Sequence, residues 1–156
     1  MIALALAYAL YEFSAKVRSE NATYDALISV LTHIRKKISL GMQILSGMLS
    51  DINVSSEQES VIVEMLVKDR IGQKNLRSTS VKSEVFRIKG EDRERFIEYF
   101  EDFGSNEWER ECKRLDSALE YFERRRTEVR ELSERKIKSY TVLFITALSG
   151  ALILFV

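Results

Sequence analysis

The side chains with the most reactive chemistry in this sequence are His33 and Cys112, which are its one histidine and its one cysteine. A histidine and a cysteine can act together as general base and nucleophile, but no motif of such enzymes surrounds either residue. One residue of each type also cannot assemble a usual zinc site or an intramolecular disulfide framework. A structural role is therefore the favoured interpretation of both.

Other patterns that could bind phosphate or transfer protons are incomplete. The segment from Gly41 to Gly47 contains glycines, but Met48 follows where a phosphate-binding loop has lysine. Carboxylate pairs such as Glu101 with Asp102 carry no sign of burial or mutual positioning, which general acid and base catalysis requires. The sequence therefore predicts a protein that is not an enzyme, with no catalytic residue, cofactor or metal.

Length and composition favour one all-α domain with accessory segments. The chain has 156 residues, no proline and six glycines, so little interrupts long helices. The 24 basic residues equal the 24 acidic ones in number. A net charge of zero supplies no global field for a polyanion, and nucleic-acid binding is not expected.

Both ends of the sequence are uncharged. The first charged residue is Glu12 and the last is Lys138. Such apolar ends predict an N-terminal transmembrane segment at 1–13 and a C-terminal transmembrane helix at 139–156, with a helical bundle domain at 14–138 between them. A cleaved signal peptide is the alternative for the first segment, and a buried core helix is the alternative for the last.

Basic residues beside the two apolar segments predict the orientation of the chain. Lys16 and Arg18 follow the first segment, whereas Arg135, Lys136 and Lys138 precede the second. Positive charge stays on the cytoplasmic side of a membrane. We therefore expect a two-span protein of the cell membrane with its middle domain in the cytoplasm.

The two apolar segments also contain alanines at a spacing of four residues. Ala3 with Ala7 and Ala147 with Ala151 are examples. Small residues at this spacing let helices pack closely in lipid, so these four are candidate packing positions, with chance as the alternative.

Apolar periodicity locates the helices of the middle domain. A stripe at Leu27, Leu31, Ile34 and Ile38 indicates an amphipathic helix that ends or bends at Gly41. We expect three further elements before residue 90, which are a short helix at 44–52, a helix at 57–67 capped by Ser55 or Ser56, and a basic loop at 68–90.

The second half of the sequence predicts two more helices. The acidic block 91–111 contains an aromatic-rich stripe that is typical of core packing, and Gly104 is expected to end this helix. From about Asn106 a single helix can run to Val156, with a solvated stalk at 123–138. The triplet Arg124, Arg125 and Arg126 is interpreted as solvation of this stalk. The aromatic-rich stripe of the acidic block consists of Phe96, Ile97, Tyr99, Phe100 and Phe103.

Segregated charge blocks are the candidate partner-binding surfaces. The basic candidates are Arg35, Lys36 and Lys37, which could equally be a solvated helix face. The acidic candidates are Glu91, Asp92, Glu94, Glu98, Glu101 and Asp102.

These residues resemble a known family, the stage III sporulation protein AB of endospore-forming bacteria. Similar stretches are LISVLTHIRKKISLGMQIL, Leu27 to Leu45, and GEDRERFIEYFEDFGSNEWERECKRLDSALEYFE, Gly90 to Glu123. The family is in turn similar to the F-type platform domain of type II secretion and type IV pilus machines, which is a compact bundle of about six helices.

The resemblance implies a role and partners. It implies a membrane platform component of the channel complex between mother cell and forespore, which docks a companion cytoplasmic hexameric ATPase and neighbouring membrane subunits. A homo-oligomeric ring in the membrane is a further expectation, with the isolated domain expected to be a monomer. The alternatives are a membrane-tethered signalling or adaptor protein, a platform protein of another secretion machine, and a small anchored enzyme.

Overall fold

The structure is a computed structural model, which describes the backbone of residues 2–41, 47, 49, 51–71, 88, 90–101, 103 and 107–154. It describes side chains at 7–41, 47, 49, 51–67, 88, 90–100, 103, 107–147, 149 and 150. Within these ranges the fold is all-α. Four helices have defined bounds, which are α1 (Ile2–Ser39), α2 (Glu57–Ile71), α3 (Glu91–Glu101) and α4 (Trp108–Leu154).

Helices α1 and α4 form a long antiparallel pair. At 38 and 47 residues, they are roughly 57 Å and 70 Å long. Contacts between them pair low numbers on α1 with high numbers on α4, which fixes the antiparallel direction. These contacts are Phe13 with Tyr140, Asp25 with Arg126, Arg35 with Asp116, and Ile38 with Trp108.

The predicted apolar stripe of α1 is confirmed as the centre of the core. Leu27, Leu31 and Ile34 are fully buried, and α2 and α4 pack against this helix. The α1 helix ends as expected, because Gly41 has a φ of 84° and its N–H donates to the Ile38 carbonyl at 2.8 Å. Only glycine adopts this backbone conformation without strain.

Helix α2 begins with the predicted serine cap. The backbone N–H of Glu59 donates to Ser56 Oγ at 3.1 Å, and the Glu59 carboxylate accepts hydrogen bonds from Ser55. Burial acts to raise the pKa of Glu59, but hydrogen bonds from Ser29, Ser55 and Ser56 outweigh it and hold the pKa below its ordinary value. The cap therefore depends on an ionised carboxylate.

The whole predicted aromatic stripe is buried, which confirms that expectation; four of its residues lie on α3 and Phe103 lies in a turn beyond it. The ring centroids of Phe96 and Phe100 lie 4.8 Å apart, and those of Tyr99 and Phe100 lie 5.0 Å apart. Such tilted and edge-on pairs add to the stabilisation from burial. The predicted end of this helix at Gly104 lies outside the described residues, as do most of the predicted helix at 44–52 and most of the loop at 68–90.

The predicted bundle of about six helices is not supported. Residues 2–39 form one helix, because nothing breaks the backbone between the apolar head and the stripe that starts at Tyr24. The single helix expected from about residue 106 is confirmed as α4. The proposed domain boundaries after residues 13 and 138 thus lie inside continuous helices.

The two predicted membrane spans, and the cell-membrane location inferred from them, are contradicted. In the ranges given above, no helix combines the length and the apolar character that a bilayer crossing requires. The uncharged turns from Tyr140 to Leu154 extend roughly 22 Å and those from Ile2 to Tyr11 roughly 15 Å, whereas a hydrocarbon core is about 30 Å thick.

The predicted solvated stalk at 123–138 is correct only for its outer face. Most of its charged side chains are exposed, and Glu131 forms an ion pair with Arg135 at 3.9 Å. Glu134 pairs with Arg130 at 3.3 Å. The inner face is in contact with the rest of the protein, since Ser133 is buried and the ring of Tyr140 lies 4.9 Å from that of Phe13.

Candidate interaction site around Asp92

The carboxylate of Asp92 joins three helices inside the protein. Asp92 is the second residue of α3, and only 4% of its surface is exposed. It accepts hydrogen bonds from Tyr24 Oη of α1 at 2.5 Å and from Tyr121 Oη of α4 at 2.6 Å. Arg125 of α4 donates from Nε at 3.0 Å and from Nη2 at 3.2 Å. We call these four residues the Asp92 cluster.

The Asp92 cluster is a charged pair surrounded by neutral phenols. Burial acts to raise the pKa of Asp92, but hydrogen bonds from Arg125, Tyr121 and Tyr24 hold it below its ordinary value. Burial and the hydrogen bond to Asp92 raise the pKa of Tyr121 to about 12, and they raise the pKa of Tyr24 as well. None of these shifts brings a group near neutral pH, where a general acid or base works best.

Two further contacts tie this region of α4 to its neighbours. Arg125 also donates to Glu128, and the Arg126 guanidinium lies 3.2 Å from the carboxylate of Asp25 on α1. The interpretation of the arginine triplet as solvation is therefore wrong for Arg125, whose main partner is the buried Asp92. A signal existed in the sequence, because Asp92 lies on the apolar stripe four residues before Phe96.

The basic candidates are largely engaged inside the protein. Arg35 Nε donates to Asp116 Oδ1 at 2.6 Å, and Lys37 Nζ donates to Asp51 Oδ2 at 2.8 Å. Lys36 is exposed. Of the three residues, Lys36 is thus the one whose charge is best placed for a partner, and the docking role of this group remains a prediction.

The acidic candidates divide between the interior and the surface. Asp92 lies within the cluster, whereas Glu91, Glu94 and Glu98 are exposed on α3. Glu91 pairs with Arg95 at 3.3 Å. The remaining candidates, Glu101 and Asp102, have side chains outside the described residues.

The side chains of two of the four candidate packing alanines are described. Ala7 and Ala147 are exposed. The side chains of Ala3 and Ala151 lie outside the described residues. The role of these four residues in helix packing stays a prediction.

The described side chains offer little for metal or redox chemistry. No group of three histidine, cysteine, aspartate or glutamate residues among them could hold a metal ion. Cys112 is buried, and Arg35 Nη1 lies 3.7 Å from its sulfur atom.

Within the described residues, the fold and the Asp92 cluster define an all-helical protein in which buried polar residues hold helices together. The whole chain, residues 1–156, matches the family model of the stage III sporulation protein AB, and the chain belongs to this family. The resemblance seen in the sequence is thereby confirmed. Searches of curated proteins and of solved structures found no match.

Membership of this family supports a role in sporulation. The family is a sporulation family and is not a known family of enzymes.

Proposed function

We propose that this protein is a non-enzymatic docking subunit of the stage III sporulation assembly and that it receives a companion hexameric ATPase on the exposed face of α3. The observation that carries the proposal is the division of α3 into two faces. Its inner face is fixed by Asp92 and the aromatic stripe, and its outer face presents Glu94 and Glu98 to solvent.

Fixing α3 in the unbound protein favours docking. A surface that is already ordered loses less conformational entropy when a partner binds. The Asp92 cluster connects α3 to both long helices, so a load applied to α3 is passed to α1 and α4. Exposed carboxylates at the rim of an interface accelerate association with a basic partner and select against acidic ones.

Isothermal titration calorimetry with the full chain and the purified ATPase tests the proposal. We expect binding that weakens when salt rises from about 50 mM to about 500 mM, because salt screens exposed charges. The Glu94→Arg/Glu98→Arg variant should bind at least about tenfold more weakly, which is a loss of about 1.4 kcal/mol.

The matched control reverses two exposed glutamates of α4, as Glu120→Arg/Glu123→Arg. Both variants change the net charge by the same amount, so a loss common to both would indicate a general charge effect. Failure of the wild-type protein to bind the ATPase at either salt concentration would overturn the proposal.

A single substitution tests the basic candidates without disturbing the fold. Lys36→Glu reverses an exposed charge, whereas reversing Arg35 would place two acids at the α1 to α4 contact with Asp116. If the basic group contributes to docking, Lys36→Glu weakens ATPase binding. Unchanged affinity would remove this group from the proposed interface.

A further inference from the structure

A groove of about 620 Å³ lies between α3 and α4, on the outside of the Asp92 cluster. On α4 it is lined by Arg110, Lys113 and Arg114, followed along the same helix face by Tyr121. On α3 it is lined by Arg95, Glu98 and Tyr99. We call it the α3–α4 groove.

The lining of the α3–α4 groove is strongly basic, although the chain as a whole is neutral. Four of its lining residues are cationic and one is acidic. Two of the cations are stacked on its aromatic rings, since Arg95 lies 4.9 Å from the centroid of Tyr121 and Arg114 lies 5.4 Å from that of Tyr99. Cations held in this way keep their charge at a fixed place.

Of the four cations that line the groove, Arg110 and Lys113 contribute least to the stability of the fold. Both are exposed, and within the described residues neither forms an ion pair. Arg110 also lies in the first turn of α4, where the helix dipole disfavours positive charge. The structure of the protein alone gives these two residues no stabilising role, whereas a bound acidic group would.

We propose that the α3–α4 groove binds an acidic polypeptide segment of a partner protein. The cations of α4 lie between Arg110 and Arg114, and Arg95 of α3 lies over Tyr121 further along the groove. Together they form a basic row along three turns of α4, or roughly 16 Å. Cations distributed along this length match carboxylates one helical turn apart better than they match one compact anion.

The surroundings of the groove favour a short acidic segment over a nucleic acid. Glu98 lies in the groove, and Glu91 and Glu94 are exposed on the same helix. These carboxylates repel a phosphate backbone that extends beyond the groove. A peptide whose acids match only the basic row avoids this repulsion.

The inference is tested separately from the ATPase proposal, because its partner is acidic and its test residues are Arg110 and Lys113, although Glu98 borders both surfaces. The direct test is fluorescence anisotropy with the full chain and a labelled peptide of about 12 residues that carries a glutamate at every fourth position. A peptide of the same design with lysines is the control ligand. We expect the glutamate peptide to bind, more weakly at high salt, and the lysine peptide not to bind.

Variants then locate the site. Arg110→Glu/Lys113→Glu should weaken binding of the glutamate peptide by at least about tenfold, and Arg110→Gln/Lys113→Gln should have a smaller effect of the same sign. The matched control is Lys136→Glu/Lys138→Glu, which reverses two exposed charges elsewhere on α4 and should leave binding unchanged. Circular dichroism verifies that each variant is folded.

Three results of the peptide measurements would overturn the proposal. They are no binding of the glutamate peptide, equal loss in the groove variant and the control variant, and displacement of the peptide by inorganic phosphate at similar concentration, which would indicate a compact anion as ligand. Self-association of the chain that disappears in Arg110→Glu/Lys113→Glu would also overturn it, in favour of a second copy as the occupant. Loss of ATPase binding in Glu94→Arg/Glu98→Arg leaves it standing.

Discussion

Asp92 of α3 contacts side chains of both α1 and α4 through its carboxylate. Substitution of Asp92 by asparagine removes the charge with almost no change of shape. In Asp92→Asn, Arg125 loses its buried anionic partner, and one hydrogen-bond acceptor for the two phenols becomes a donor. We expect the free energy of unfolding to fall by about 2 kcal/mol, which is below the value for fully buried pairs because Arg125 is partly exposed and also contacts Glu128.

Urea unfolding followed by the fluorescence of Trp108, the one tryptophan of the chain, measures this change. Glu94→Gln is the matched control, since it neutralises an exposed carboxylate on the same helix and should alter stability by no more than about 0.5 kcal/mol. Equal stabilities of the two variants would contradict the structural role of the cluster.

The difference in stability between the wild type and Asp92→Asn should depend on pH, with a sign that follows from the pKa of Asp92. The pKa of Asp92 is lowered in the folded protein, so its ionisation stabilises the fold above the unfolded-state pKa of about 4. That contribution is lost as the pH falls through the lowered pKa. The stability difference between the wild type and Asp92→Asn should therefore be constant near neutral pH and shrink below about pH 4. A difference that grows on acidification would refute the assignment.

The hydroxyl of Tyr99 is a second residue with a testable effect. Only 7% of Tyr99 is exposed, and its Oη has no hydrogen-bond partner among the described residues. Burial raises its pKa, so the group stays neutral. Because a buried hydroxyl without a partner is unfavourable, Tyr99→Phe should leave the protein equally stable or up to about 1 kcal/mol more stable. A loss above about 1 kcal/mol in thermal unfolding would mean that the hydroxyl has a partner.

At the scale of elements, two glycines separate the effect of backbone strain from that of helix propensity. Gly41 ends α1 with a φ of 84°, and Gly150 lies inside α4, yet no atom lies within 4 Å of an added Cβ at either position. Gly41→Ala should therefore lose about 1 kcal/mol through backbone strain. Gly150→Ala should gain about 0.5 to 1 kcal/mol because alanine favours a helix. Thermal denaturation of both variants measures the contrast, and the same sign for both would contradict it.

Periodicity predicted the elements well and their polar contacts poorly. The stripes of α1 and α3 and the single long α4 follow from spacing in the sequence, because burial acts on local patterns. Asp92 and Arg125 lie 33 positions apart, and nothing in their local patterns specifies that they meet. The local patterns therefore place Asp92 among the surface acids and predict a solvated Arg125.

At the scale of the whole molecule, the contradicted prediction is the interpretation of the uncharged ends as membrane spans. The first of them is the beginning of α1, and the last is the end of α4. Each is therefore one part of a longer helix whose remaining part packs in the core. Composition identifies an apolar stretch, but the extent of the helix that contains it depends on the neighbouring sequence. The family, by contrast, was recognisable from residues 27–45 and 90–123 because extended patterns persist in the sequence.

The central claim is that this sporulation protein acts by docking through the outer face of α3. The most direct measurement is the yield of heat-resistant spores from cells in which Glu94→Arg/Glu98→Arg replaces the native protein, beside cells that carry Glu120→Arg/Glu123→Arg. With equal protein levels in both strains, we predict a large loss of spores in the first and a near-normal yield in the second. Normal sporulation of the α3 variant would contradict the claim.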